Sequence, residues 1–235
     1  METYNFREDF GRYKVTYILS ILTVFAWLVQ IMRFGGESTT PINLINSGAM
    51  FVPYVLHNGE FWRLFTPLFV HIGVIHLIMN VFSLFFMGRY VENVFGRWRF
   101  LGIYLLSGIF GNALTFYLSF PTNTIGVVSA GASTSIFGIF TAVASIAYFT
   151  KHPFLRQIGT TFTTLIIANL VMNLFDLGRI DIWGHVGGAI GGFLLALILP
   201  PKPFAHLLKS SYRIFALVAF TLIFIVCLVL PFMTL

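Results

Sequence analysis

The sequence predicts an all-α polytopic membrane helix bundle with seven transmembrane helices, the N-terminus cytoplasmic and the C-terminus outside. Three observations carry that reading. Hydrophobic residues make up 57% of the 235 positions and charged residues only 9%, against roughly 25% charge in a soluble domain. Mean hydropathy is +0.88. The 14 lysines and arginines also fall between apolar runs, as they do in loops that flank membrane helices. The formal net charge of +6 and the pI near 9.7 therefore report topology and not nucleic acid, because no Lys/Arg run or basic amphipathic face occurs. The single cysteine, Cys227, sits inside the last apolar run. That excludes a disulfide framework and a paired-cysteine metal site.

Taken in order, residues 1–14 are polar and mixed in charge, a cytoplasmic N-terminal segment. Residues 15–32 form an apolar run of 18 that suits a first span. It is not a signal peptide, which needs a shorter core and a small-residue cleavage site that Phe34-Gly35-Gly36-Glu37 does not supply. The stretch 33–62, with Pro41, Pro53 and a short apolar patch at 50–56, reads as a loop lying in the interface. Further spans are predicted at 64–87, 100–120, 133–149, 158–175, 182–199 and 214–233. Residues 15–199 thus form a six-helix core, and 200–235 a cytoplasmic linker plus a seventh helix. Residues 121–132 cannot be a regular spanning helix, and non-helical backbone at membrane depth is tolerated only beside protein or water. They are predicted to dip into a hydrated cavity that opens outward. The 28 phenylalanines read as lipid-facing and core packing.

Counting Lys and Arg in alternate loops sets the orientation. Arg7, Arg12, Lys14, Arg89, Arg97, Arg99, Lys151, Arg156, Lys202, Lys209 and Arg213 lie on the N-terminal side; only Arg33, Arg63 and Arg179 lie opposite. The second, fourth and sixth spans then run from outside inward. Ser133 is 18 residues before Lys151, and His185 is 17 before Lys202. At ~1.5 Å per residue they stand about 27 and about 26 Å above the cytoplasmic edge of a ~30 Å core. The two are level, just under the outer surface. His76 and Asn80 come out about 20 and about 14 Å above Arg89, somewhat lower unless that helix projects beyond the membrane.

A serine hydroxyl becomes a nucleophile when a base within hydrogen-bond reach takes its proton, and histidine suits that at neutral pH. Ser133 and His185 suffice as a dyad. Asn80 and His76, four apart on one helix face, are candidate donors to a developing oxyanion. Each feature has a structural reading as well. Ser129, Ser133, Thr134 and Ser135 are residues that cap a helix N-terminus. Gly184, Gly187, Gly188, Gly191 and Gly192 make a close-packing seam, a role compatible with catalysis. His71, His76 and Asn80 fit interhelical hydrogen bonding. Metal binding is disfavoured, since His71 and His76 lie about 140° apart around a helix and no His-Glu-x-x-His occurs. No metal and no cofactor are expected, and no nucleic-acid partner.

Five motifs stand in order across roughly residues 60–195: Glu60-Phe61-Trp62-Arg63; His71-Ile72-Gly73-Val74-Ile75-His76-Leu77-Ile78-Met79-Asn80; Gly88-Arg89-Tyr90-Val91-Glu92; Gly131-Ala132-Ser133-Thr134; and Gly184-His185-Val186-Gly187-Gly188. Together they resemble the rhomboid family of intramembrane serine proteases. They stand where the family carries its first-loop Trp-Arg motif, its helix 2 signature, the cytoplasmic turn that follows, its Gly-x-Ser-Gly and its helix 6 histidine. The resemblance implies a serine endopeptidase that cleaves in or near transmembrane segments of other membrane proteins. Ser133 would be the nucleophile and His185 the general base, with no third acidic member. The oxyanion site would be His76, Asn80 and the Ser133 backbone N–H. Phe137 stands where the family packs an aromatic ring on the base. Gly131, Thr134 and His71 fall to site support or substrate binding; Glu60, Trp62, Arg63, Gly188 and Gly192 are structural, Glu60 pairing Arg63. The seventh span resembles the arrangement with one extra C-terminal helix. A multi-pass plasma-membrane protein of bacterial type follows. Its partners would be the lipid bilayer and substrate helices, locally unwound because a hydrogen-bonded helix hides its carbonyls. By resemblance, the cut falls at small residues with helix-weakening residues nearby.

One departure stands out. Thr134 replaces the glycine that usually follows the nucleophile, and a β-branched residue narrows and stiffens the space beside the site. A variant with altered fit is expected, not an inactive relative. Ser135 lies about 200° around the helix from Ser133 and is no substitute for it. Two rival readings are a catalytically dead relative that escorts membrane clients, against which Ser133 and His185 argue, and a small transporter. A transporter would show an internal repeat or a mid-membrane ionisable residue, whereas the acidic residues here read as lying in tails or loops.

Overall fold

The computed structural model describes residues 5–174 and 181–233. A short helix α1 (Phe6–Arg12) leads into α2 (Lys14–Phe34). The loop beyond carries two more short helices, α3 (Pro41–Asn46) and α4 (Val52–Asn58), around a two-residue strand β1 (Met50–Phe51). The long helices α5 (Val74–Phe95) and α6 (Arg97–Leu118) follow. Then come strand β2 (Val128–Ser129), α7 (Ser133–Thr150), α8 (Pro153–Leu174), α9 (Ile182–Ile198) and α10 (Ser210–Met233). Among the described residues, α2, α5, α6, α7 and α10 are long and apolar enough to cross a membrane, and α9 is a shorter apolar helix. Helix α8 has 22 residues but carries Arg156, Gln157 and four threonines within its first twelve. This is an all-α, multi-pass membrane bundle.

Three sequence expectations need correction. The second span starts at Val74, not at 64: residues 61–68 form two 3₁₀ turns, Phe61–Leu64 and Thr66–Leu68. Pro67 has no N–H to give a continuing helix. The same helix runs on to Phe95, so Glu92 is in its last turn and not in a loop. Glu92 is 3% exposed and accepts from the backbone N–H of Val15 (3.1 Å) and Thr16 (2.8 Å) and from the Thr16 hydroxyl (2.8 Å). It thereby caps α2, whose own N-cap residue, Tyr13, makes no side-chain cap. The stretch 33–62, read as a loop, holds α3 and α4. Phe175, the end of the fifth predicted span, and Arg179, counted on the outer side, lie outside the described residues.

The centre of the bundle is a glycine seam. A Cβ built on Gly188 would lie 2.1 Å from the Thr134 carbonyl oxygen, and one on Gly192 would lie 1.9 Å from the Gly138 carbonyl oxygen. Helices α7 and α9 therefore meet backbone to backbone. Across α6, a Cβ on Gly111 would lie 2.2 Å from Thr134 Cγ2 and 2.5 Å from the Gly184 carbonyl. In lipid no hydrophobic effect drives helices together, and small residues that let backbones approach supply the packing instead. At one end of the bundle Arg89 contacts Asp9 and donates to the Tyr17 hydroxyl at 2.7 Å, while Arg97, Arg99 and Lys202 line one cavity. Basic residues counted on the same side of the membrane thus gather at the same end. The site lies elsewhere, where β2 joins α7.

Candidate active site

Ser133 is the first residue of α7, yet its hydroxyl does not cap the helix. The N-cap position is Ala132, and no side-chain cap bond is made there. Instead Ser133 Oγ lies 2.7 Å from His185 Nε2, within the range of an O–H···N hydrogen bond. The His185 ring stacks on Phe137, centroids 4.5 Å apart and planes 16° apart. Phe137 follows Ser133 by one turn of the same helix, so α7 supplies both the hydroxyl and the surface that fixes the imidazole plane. Ser135 faces the other way. It is wholly buried, its Oγ has no partner among the described residues, and it abuts Gly108 of α6.

The backbone ahead of the serine is held from two sides. Strands β1 and β2 pair antiparallel, Met50 opposite Ser129 and Phe51 opposite Val128. The Gly131 N–H donates to the Pro67 carbonyl at 2.9 Å. Gly131 has φ +139°, and a Cβ there would lie 2.5 Å from His76 Cε1 and 3.5 Å from Ser133 Oγ. Glycine is required on both counts. That clash also locates His76, whose ring comes up against the backbone just ahead of Ser133. Asn80 donates one amide proton to the His76 carbonyl at 2.8 Å and keeps a second. His76, Asn80, Ser133 and His185 all line one cavity of about 700 Å³, within the range of sites that enclose a ligand.

The supporting residues differ more from expectation. His71 is fully buried. Its bond to another helix runs through its backbone: Gln30 of α2 donates to its carbonyl (2.9 Å) and accepts from its N–H (3.4 Å). Its ring lies 5.3 Å from that of His76. Burial, with the neighbouring His76, pushes its pKa down to about 4, which keeps it neutral. Arg63 pairs with Glu60 at 2.6 Å, donates to the carbonyls of Ile45 and Ala49 (2.8 Å each) and lies 4.2 Å from the Trp62 ring. That cluster pins the loop under which β1 reaches β2. Thr134 turns its methyl into the hollow left by Gly111 and Gly188. Its branch fills a helix seam, so the larger residue is matched by glycine on both neighbouring helices.

Sequence reasoning passed over Asp181 and Thr115. Asp181 is the N-cap of α9 and accepts from the Gly184 N–H at 2.8 Å. It also takes the hydroxyls of Thr115 (2.7 Å) and Ser129 (2.6 Å). An aspartate just before an apolar, glycine-rich helix is an N-cap signal in any sequence; its two hydroxyl partners are visible only in three dimensions.

Comparison with known proteins follows the same lines. A family model described as the Rhomboid domain matches residues 58–202, more than half of the chain. The chain is 38% identical over 211 residues to rhomboid protease GluP of Bacillus subtilis (strain 168), covering 88% of this chain and 39% of that protein. It is 34% identical over 162 residues to RHOMBOID-like protein 1 of Arabidopsis thaliana, covering 69% of this chain and 40% of that protein. With Rhomboid-like protease 1 of Toxoplasma gondii the identity is 26% over 194 residues, covering 80% of this chain and 66% of that protein. The chain thus spans about two-fifths of the length of the first two of these relatives. A serine and a histidine brought into contact by a glycine seam, inside the stretch that the family model matches, make one conclusion of the two lines: the chain belongs to the rhomboid family.

Proposed function

We propose that the chain is an intramembrane serine endopeptidase that cuts peptide bonds in or near transmembrane segments of other membrane proteins, using a Ser133–His185 dyad near the outer face. The observation that carries this reading is the 2.7 Å contact between Ser133 Oγ and His185 Nε2 in a cavity that also holds His76 and Asn80. Similarity to rhomboid protease GluP and to Rhomboid-like protease 1 supports it.

The chemistry runs in two halves. His185 Nε2 takes the Ser133 proton as Oγ bonds to the scissile carbonyl carbon, and the carbonyl oxygen becomes an oxyanion. His76, the free amide proton of Asn80 and the Ser133 N–H donate to it. His185 then hands its proton to the leaving amine, the C–N bond breaks, and an ester joins Ser133 to the N-terminal part of the substrate. In the second half His185 takes a proton from water, whose oxygen attacks that ester. Collapse releases a carboxylic acid and restores the Ser133 hydroxyl. Phe137 keeps the imidazole in plane throughout. The substrate enters as a locally unwound segment, since only an opened helix presents its carbonyl.

Seven crossings, with the N-terminus cytoplasmic and the C-terminus outside, complete the reading. Residues 1–14 form the cytoplasmic N-terminal segment, 15–199 the catalytic core and 200–235 the linker and last helix. The charge count of eleven against three supports it, and the membrane would be a bacterial plasma membrane. The test is cleavage of a reporter transmembrane helix with small residues at mid-span, co-reconstituted with the purified protein in liposomes. Two fragments are expected, absent with Ser133→Ala or His185→Ala; cleavage that survives either substitution overturns the proposal.

A further inference from the structure

We infer that Asp181 is a positioning residue for the dyad, a clamp that sets the base-bearing helix α9 against the strand that delivers the nucleophile; this rests on the Ser133–His185 reading. Its carboxylate meets three separate elements. It accepts the Gly184 N–H at 2.8 Å, and so caps α9 directly before His185. It accepts the Ser129 hydroxyl at 2.6 Å, and Ser129 ends β2 four residues ahead of Ser133. It accepts the Thr115 hydroxyl of α6 at 2.7 and 2.9 Å, one to each oxygen. The Asp181 backbone carbonyl also takes the His185 N–H at 3.2 Å. The residue that carries the base is therefore tied to Asp181 by its main chain, while the segment that carries the nucleophile is tied to Asp181 by its side chain.

The arrangement is too costly to be decoration. Ser129 and Thr115 are 8% and 7% exposed, so removing the carboxylate takes the acceptor from the Ser129 hydroxyl and the Gly184 N–H in a dry place and leaves the Thr115 hydroxyl only the Gly111 carbonyl at 3.3 Å. Space is equally tight, since a Cβ on Gly184 would lie 2.7 Å from Asp181 Oδ2. Asp181 also lines the same cavity as Ser133 and His185. Proton transfer from Ser133 to His185 needs the 2.7 Å separation kept, and a misplacement of about 1 Å can cost on the order of 100-fold in rate. Asparagine keeps the carbonyl that caps Gly184, and its amide can donate to hydroxyls that rotate to accept. Alanine keeps none of this.

The test measures the second-order rate of labelling by a fluorophosphonate in mild detergent, well below the unfolding midpoint of each variant, together with kcat and KM for a transmembrane reporter. Asp181→Ala is expected to slow labelling and kcat by about 30- to 100-fold with KM within about threefold, and Asp181→Asn to recover to within about fivefold of wild type. A merely structural cap would lower the midpoint and leave the labelling rate of the folded protein unchanged, and that result overturns the inference. Should Asp181→Ala fail to fold, Ser129→Ala and Thr115→Val decide. Slowing of about three- to tenfold in both supports the clamp, and wild-type rates in both overturn it. Ser133→Ala serves as the control. If it labels like wild type, the dyad itself falls and takes the clamp with it; if it does not label, a normal rate in Asp181→Ala removes the clamp alone.

Discussion

Replacing Gly188 with alanine tests how tightly catalysis depends on the glycine seam. The new Cβ would lie 2.1 Å from the Thr134 carbonyl oxygen and 3.2 Å from Thr134 Cγ2. The first of these neighbours is backbone and cannot swing aside. Ordinary contact begins near 3.4 Å, so α7 and α9 must part by about 1.3 Å at this level. Thr134 adjoins Ser133, and Gly188 is one turn from His185, so most of that displacement falls on the Ser133–His185 contact. Its separation of 2.7 Å opens toward about 4 Å, beyond hydrogen-bond range. A loss of about 100-fold in kcat is expected. Stability should change less, because overpacking costs about 1–3 kcal/mol and the exchange of glycine for alanine inside a helix returns about 1 kcal/mol. The assay is cleavage of a transmembrane reporter by protein whose folded fraction is fixed by its unfolding midpoint. Gly102→Ala is the control, since among the described residues its Cβ would meet only Leu199 Cδ1, at 3.5 Å; it should retain full activity. Wild-type turnover in folded Gly188→Ala would refute the link from seam to dyad.

Two further outcomes follow from named contacts. Asn80→Ala should lower kcat by about 10²–10³ with little change in unfolding midpoint, because among the described residues the one hydrogen bond it removes is to its own helix, at His76; equal losses in both measurements would mean that Asn80 is structural. Glu92→Ala leaves two buried N–H groups and a hydroxyl without their acceptor. It should destabilise by about 3 kcal/mol, read as a lowered midpoint in detergent, while turnover per folded molecule stays at the wild-type value.

The long helices were legible because each is bounded by polar or breaking residues, and because ~1.5 Å per residue converts spacing into height. That conversion set Ser133 and His185 level before any contact was known. It served less well for the second span, where residues 64–73 are as apolar as a helix but break at Pro67 and pass through an extended Gly73. Hydropathy alone does not distinguish a buried irregular stretch from a spanning one. Charge misled in the same way. Glu92 looked like a loop residue because an acidic side chain in an apolar helix is costly, yet it lies inside α5, whereas Asp181 does stand outside a helix, at the N-cap of α9. Each holds a helix N-terminus, Glu92 that of α2 and Asp181 that of α9, and the partners Val15 and Thr115 lie 77 and 66 residues away in the chain. Thr134 shows the converse: its identity was plain, but the glycines that receive its methyl lie on α6 and α9.

The central claim is that Ser133 is a nucleophile activated by His185. Its most direct test is mapping the residue that a fluorophosphonate modifies, by mass spectrometry of the intact protein and its peptides. The account predicts one phosphonylated residue, Ser133, with labelling abolished by Ser133→Ala and by His185→Ala while both variants keep the wild-type unfolding midpoint within a few degrees. A label on Ser135 or any other serine, or undiminished labelling in His185→Ala, would contradict it.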